Sequence, residues 1–178
     1  MINFKNFAIA ISLLLFISCQ KEERIPAPTQ HFSINNSLQT TLDFLATEND
    51  FSLFHDAIIQ SKMDVEINGN GPYTVFAPDN NAMENFLKKN NWEKIQDVPV
   101  NILTLMVQFH ISKRAVNISG LTQGKYVPIL YKERELFIDI DNPSEPFLIL
   151  GVTMANVINK DHAQKNGTIN KIDNVLSL

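Results

Sequence analysis

At 178 residues the chain is long enough for one domain with a real core, and two would be crowded. A formal net charge of -4, from 15 Lys and Arg against 19 Asp and Glu, argues against a nucleic-acid binder, which needs basic patches to displace counterions from phosphate. With 44% hydrophobic and 19% charged residues nothing argues for disorder beyond the ends, and the single cysteine, Cys19, rules out an internal disulfide.

Residues 1–6 carry one Lys and no acid, and "FAIAISLLLFIS", Phe7 to Ser18, follows without a charge. As a helix this run spans about 18 Å, short of a hydrocarbon core of about 30 Å, so it reads as the apolar region of a signal peptide. Phe16-Ile17-Ser18-Cys19 resembles the lipobox of bacterial lipoproteins, with Phe16 where Leu is usual. That resemblance implies a signal peptide over 1–18, cleavage before Cys19, and acyl chains on Cys19 as a membrane anchor. The alternative for these residues is a short uncleaved anchor or an ordinary secretory signal with a stray cysteine. "QKEER", Gln20 to Arg24, resembles the export signal that sends lipoproteins of certain Gram-negative bacteria to the cell surface; a solvated tether would need charge too. With the two prolines of "IPAPTQHFSINN", residues 19–36 read as a flexible tether.

The folded part is expected over 37–178. Ser37 is a candidate N-cap for a helix carrying Leu38, Leu42 and Leu45, and Asp50 for a second with Phe51, Phe54, Ala57 and Ile58. "NGNGP" is a turn, and Tyr73 to Ala77 a buried strand stopped by Pro78, after which Asp79 or Asn80 can cap a helix through Phe86 and Leu87. A further helix runs from about Val100 to Phe109, with Ile102, Leu103, Met106 and Phe109 inward. Beyond His110 the pattern changes to short extended pieces, "ISKRAV", "KYVPILY", "ELFIDID", "FLILGVTM" and "GTINKIDNVL". Helices first and strands after predict an α+β fold with helices on an antiparallel sheet.

Three segments, in this order, resemble a fasciclin domain: "YTVFAPDNNAM" from Tyr73, "FHISKRAV" from Phe109 and "NGTINKIDNVL" from Asn166. Departures are Phe109 where the family more often has Tyr, and Asn170 and Lys171 where His is common. The resemblance implies an antiparallel β-wedge with α-helices packed around it, acting as an extracellular adhesion or ligand-binding module without catalysis. It also favours internal pairing for Asp173. Two adhesive features proposed for animal matrix members of the family map here onto Phe109 and His110, and onto Asn159, Lys160 and Asp161 ahead of Asn166-Gly167. Phe109 ends an apolar helical stripe, so a buried structural role is the stronger reading of the first pair; for the Asn159–Asp161 stretch, contact and structural roles both stand.

No enzyme, cofactor or metal is expected. The four histidines are widely separated with no i,i+4 pair, and there is no nucleophile elbow or phosphate loop. Glu133 with Glu135, and Asp139 with Asp141, are same-strand pairs that suit a solvated face better than facing carboxylates across a cleft. The expected protein is therefore a lipid-anchored module of the outer membrane, displayed at the cell surface or facing the periplasm, that binds a protein, matrix or glycan ligand. The alternative is a glycan-binding accessory lipoprotein of a polysaccharide uptake system.

Overall fold

In this computed structural model residues 39–132 and 134–178 are described; Ser37, Leu38, Cys19 and the whole leader lie outside them. The first helix is set by a reciprocal cap at Thr40. Its hydroxyl accepts the Asp43 N–H at 3.2 Å while the Asp43 carboxylate accepts the Thr40 N–H at 3.3 Å, which starts α1, Thr41–Thr47. The second helix does not start on Asp50. A 3-10 turn, Asn49–Phe51, comes first, α2 runs Ser52–Gln60, and the Asp50 carboxylate is used instead by Lys171. A short α3, Asp64–Ile67, follows, which no periodicity announced.

Strand β1, Tyr73–Pro78, ends as expected, and Asp79 rather than Asn80 caps α4, Asn80–Lys89, by accepting the Ala82 N–H at 2.9 Å. Trp92 packs back on Phe86, ring centroids 5.7 Å apart. Helix α5, Val100–Phe109, has the predicted bounds, although Val107 replaces Ile102 among its buried residues.

Six strands follow: β2 Ile111–Ser112, β3 Lys125–Pro128, β4 Glu135–Asp139, β5 Phe147–Leu150, β6 Thr153–Gln164 and β7 Gly167–Ile172. Two expectations change here. "ISKRAV" is extended for only two ladder residues, because the chain leaves the sheet after Ser112; Arg114 then gives its carbonyl to the Thr74 hydroxyl. "FLILGVTM" is two strands, folded back at Gly151, whose φ of 58° favours glycine, with Leu150 opposite Thr153. β6 then runs through "ANVINKDHAQ", where no strand was predicted because polar residues interrupt its alternation.

The seven strands form one sheet in the order β2-β1-β7-β6-β5-β4-β3. The α+β expectation holds, and the neighbours pair antiparallel except β1 with β7, which run parallel from Tyr73 opposite Gly167 to Pro78 opposite Ile172. The parallel pair arises because the chain makes its whole excursion through α4, α5 and five strands before returning beside β1. The sheet's two edges meet: Leu130 N–H donates to the Ile111 carbonyl at 2.8 Å, and the Ser112 hydroxyl to the Pro128 carbonyl at 2.6 Å. Closure leaves neither edge open at this end.

All six residues of β1 are buried, since both of its faces are covered. Tyr73, Val75, Ala77 and Ile169 face the helices, packing with Phe54, Ile58, Met83 and Leu103. Phe76 and Ile172 face inside the curled sheet with Leu136, Ile138 and Leu148. Each fully buried side chain of this size is worth about 1.5–3 kcal/mol.

Asn166 and Gly167 join the two layers. The Asn166 side chain accepts the Thr41 N–H at 2.8 Å and donates to the carbonyls of Ile67 at 3.0 Å and Gly69 at 2.8 Å. Its own carbonyl accepts the Tyr73 N–H at 2.9 Å. A Cβ at Gly167 would stand 2.2 Å from the Tyr73 carbonyl oxygen. Asn166→Ala should therefore lower unfolding free energy in urea by about 3 kcal/mol, since the Thr41 donor and two carbonyls lose their partners together. A loss below about 1 kcal/mol would contradict the clamp.

Candidate functional site

Strand β6 cannot run straight beside β7. Its register shifts twice, between Val157 and Asn159 and between Asn159 and His162, and Asp161 sits at φ 58°, a backbone state open mainly to Gly, Asn and Asp. The bulge is held from behind. The two Asp161 oxygens accept the N–H groups of Ile118 and Ser119, each at 2.7 Å, and so cap the 3-10 turn Ile118–Gly120; the Asp161 N–H donates to Asn170 Oδ1 at 2.8 Å. Lys160 donates its ammonium to the Pro143 carbonyl at 2.8 Å. Of the Asn159–Asp161 stretch it is Asn159 that remains exposed and faces a groove.

That groove encloses about 400 Å³ where the bulged ribbon faces α1 and the turn after it. Phe44, Phe51, Ile158 and Ile169 form its apolar lining, and Glu48, Asp50, Asn159, His162 and Lys171 bring polar groups to it. The His162 ring lies on Phe44, centroids 4.4 Å apart. Lys171 donates to Asp50 at 2.8 Å and lies 3.5 Å from an Asp79 oxygen. The bond to Asp50, with the charges of both acids, raises the Lys171 ammonium above its usual pKa although partial burial opposes it. Glu48 makes no ion pair among the described residues.

The aromatic-His pair is internal. Phe109 is buried edge-on against Tyr131, and His110 is wholly inaccessible to solvent. His110 Nδ1 lies 2.7 Å from the Met106 carbonyl and must donate to it, while Nε2 accepts the Leu176 N–H at 3.0 Å. The ring is thus neutral, and burial depresses its pKa to about 4 despite the opposing bond to Met106. Asp173 is paired, accepting from the backbone and side chain of Asn156, both at 2.7 Å, but the pair lies at the exposed surface and not inside the core. Asp139 accepts the Asp141 N–H at 2.9 Å, a local turn bond that takes that acid out of any shared carboxylate pair.

The groove residues could not be picked from the sequence. Phe51 reads as core of an amphipathic helix, Phe44 stands off the Leu38, Leu42 and Leu45 stripe, and Lys171 reads as a strand charge; the bulge brings them opposite Ile158 and His162. Among the described residues no group of three or more His, Cys, Asp or Glu could hold a metal ion. Another apolar surface is a row of directly opposed side chains across four strands, Tyr126, Phe137, Ile149 and Met154, on the outer sheet face. Tyr126 and Phe137 tilt by 47° to one another, which is not a flat platform for stacking sugar rings.

The fold is an α+β domain built on a curled sheet with helices packed on it. Residues 49–178 match the family model of the fasciclin domain, and the chain belongs to that family, whose domains are non-catalytic; it is not an enzyme. Human periostin is 31% identical over 117 residues, 66% of this chain and 13% of that protein. The pig transforming growth factor-beta-induced protein ig-h3 is 27% identical over 116 residues, 65% of this chain and 16% of that protein. The chain thus aligns with only a small part of these relatives' length. A fasciclin domain pair from the insect cell adhesion molecule fasciclin I superposes with a TM-score of 0.65 at 16% identity, covering 79% of this chain and 51% of that one.

Two expectations follow. The unfolded chain protonates His110 near pH 6.5 and the folded one only near 4, so its contribution is complete above 6.5 and is lost as pH falls through that window. The loss totals about 3 kcal/mol, and His110→Gln should flatten that part of the stability–pH curve measured by urea unfolding. Asp161→Ala should cost about 2 kcal/mol by freeing two backbone donors, and Asp161→Asn less, because Asn keeps an acceptor and tolerates the left-handed backbone.

Proposed function

We propose that this protein is a lipid-anchored fasciclin module, held in the outer membrane by acyl chains on Cys19 and displayed at the cell surface, where it binds a partner protein, a neighbouring cell or a matrix. The observation that carries the binding role is the open groove beside Asn159, whose lining mixes apolar and charged side chains from separate elements, as an interaction site needs and a core does not. The likeness of its fold to a domain pair from a cell adhesion molecule supports the same role. The anchor and its address rest on Phe16 to Cys19 and on Gln20 to Arg24. Phe109 and His110 serve this function from within, by holding α5 and the C-terminal segment together, since neither can reach a receptor without local unfolding.

Cells fed an alkyne fatty acid should label the wild-type protein and leave Cys19→Ser unlabelled. Protease added to intact cells should degrade the wild-type protein; full protection would place it on the periplasmic face and end the surface reading. Intact cells should lose adherence to matrix or neighbouring cells when the gene is deleted. Capture on a polysaccharide array, with adherence unchanged, would favour glycan uptake instead.

A further inference from the structure

The groove's own chemistry restricts what can enter it. Its volume of about 400 Å³ admits one or two side chains, not a folded surface. Ile158, 57% exposed at its rim, and the half-buried Phe44 offer apolar contact, while Phe51 belongs to the buried core behind them. Its charge is unbalanced. Lys171, the groove's single ammonium, is already engaged by Asp50 and Asp79, while Glu48 brings a carboxylate with no cation among the described residues. Two acids, Glu48 and Asp50, against the one lysine leave the lining anionic, so an incoming carboxylate or phosphate would be repelled and a cation attracted. The wall that carries Ile158, Asn159 and His162 is fixed by the Asp161 bonds behind it, so binding does not have to order the bulge first.

We propose that the groove between α1 and the bulged β6 takes a basic, apolar peptide segment of a partner protein: an Arg or Lys at Glu48 and Asp50, next to a Leu, Ile or Phe that packs on Phe44 and Ile158. This rests on the reading of the chain as a ligand-binding module, and it adds the chemistry of the ligand. Asn159 then acts as a peptide-backbone partner at the edge of the groove, the one member of the Asn159–Asp161 stretch with that freedom.

The test uses the full chain in detergent and fluorescence anisotropy with a labelled hexapeptide, Gly-Leu-Arg-Phe-Lys-Gly. One control has Glu in place of Arg and Lys; another has Ser in place of Leu and Phe. The parent peptide should bind at least about tenfold tighter than either control, and more weakly as salt is raised. Glu48→Lys and Ile158→Ser, both at exposed positions, should each weaken it by about tenfold or less while leaving the unfolding midpoint in place. Equal binding of the acidic control, no binding of any peptide, or unchanged affinity in Glu48→Lys overturns the proposal. Adherence of cells carrying Glu48→Lys separates the two readings. If peptide binding is lost and adherence persists, the groove is a peptide site and adhesion uses another face; if wild-type cells never adhere while the peptide binds as stated, only the adhesion reading fails.

Discussion

One carboxamide holds the two layers in register. Asn166 has one acceptor oxygen and two amide hydrogens, and the fold uses all of them: the first free N–H of α1, the last carbonyl of α3 at Ile67, and the Gly69 carbonyl beyond it. Its backbone carbonyl then begins the pairing of β7 with β1 through the Tyr73 N–H. No other residue of similar size can do both, because an acid would lack the donors and an apolar residue would leave all three groups buried without partners. Gly167 follows for a steric reason, since the Tyr73 carbonyl occupies the space where a Cβ would go.

From this clamp the central pair of strands inherits its character. β1 and β7 lie between two cores, so polar groups on them are driven to internal partners, with the Asn170 Nδ2 left unpaired among the described residues. Thr74 shares its hydroxyl between the Arg114 carbonyl and the Val116 N–H, and Asn170 turns its oxygen toward the Asp161 N–H. That last bond links the buried partition to the bulge at the surface. The groove is therefore not a loop feature: its β6 wall is tied through Asp161 and Asn170 to the strand at the centre of the sheet, and its floor, Ile169, is itself a core residue.

The same economy explains His110. A neutral imidazole offers one donor and one acceptor at opposite ends, and here they bridge the last turn of α5 and the C-terminal segment. The Phe54 ring, 5.5 Å away, keeps water from it. An aromatic-His pair at a helix end is in this protein a packing joint.

What the sequence determined by itself is the local: the strand halted at Pro78 and the helix capped beyond it, the α5 stripe from Val100 to Phe109, the α+β class, and the Asn-Gly and Ile-Asp-x-Val-Leu segments that mark the family. Each of these follows from propensity, periodicity or steric limits within a few residues. Tertiary structure decided the rest. That β7 lies parallel to β1, that the Asp50 carboxylate serves Lys171 and not a helix end, and that β6 extends through a polar stretch all depend on partners 94 and 121 residues away or on a bulge whose register no alternation encodes. The groove belongs to that second group, because Phe44, Glu48, Ile158 and Lys171 share a surface only once the chain has closed its sheet and brought α1 beside β6 and β7.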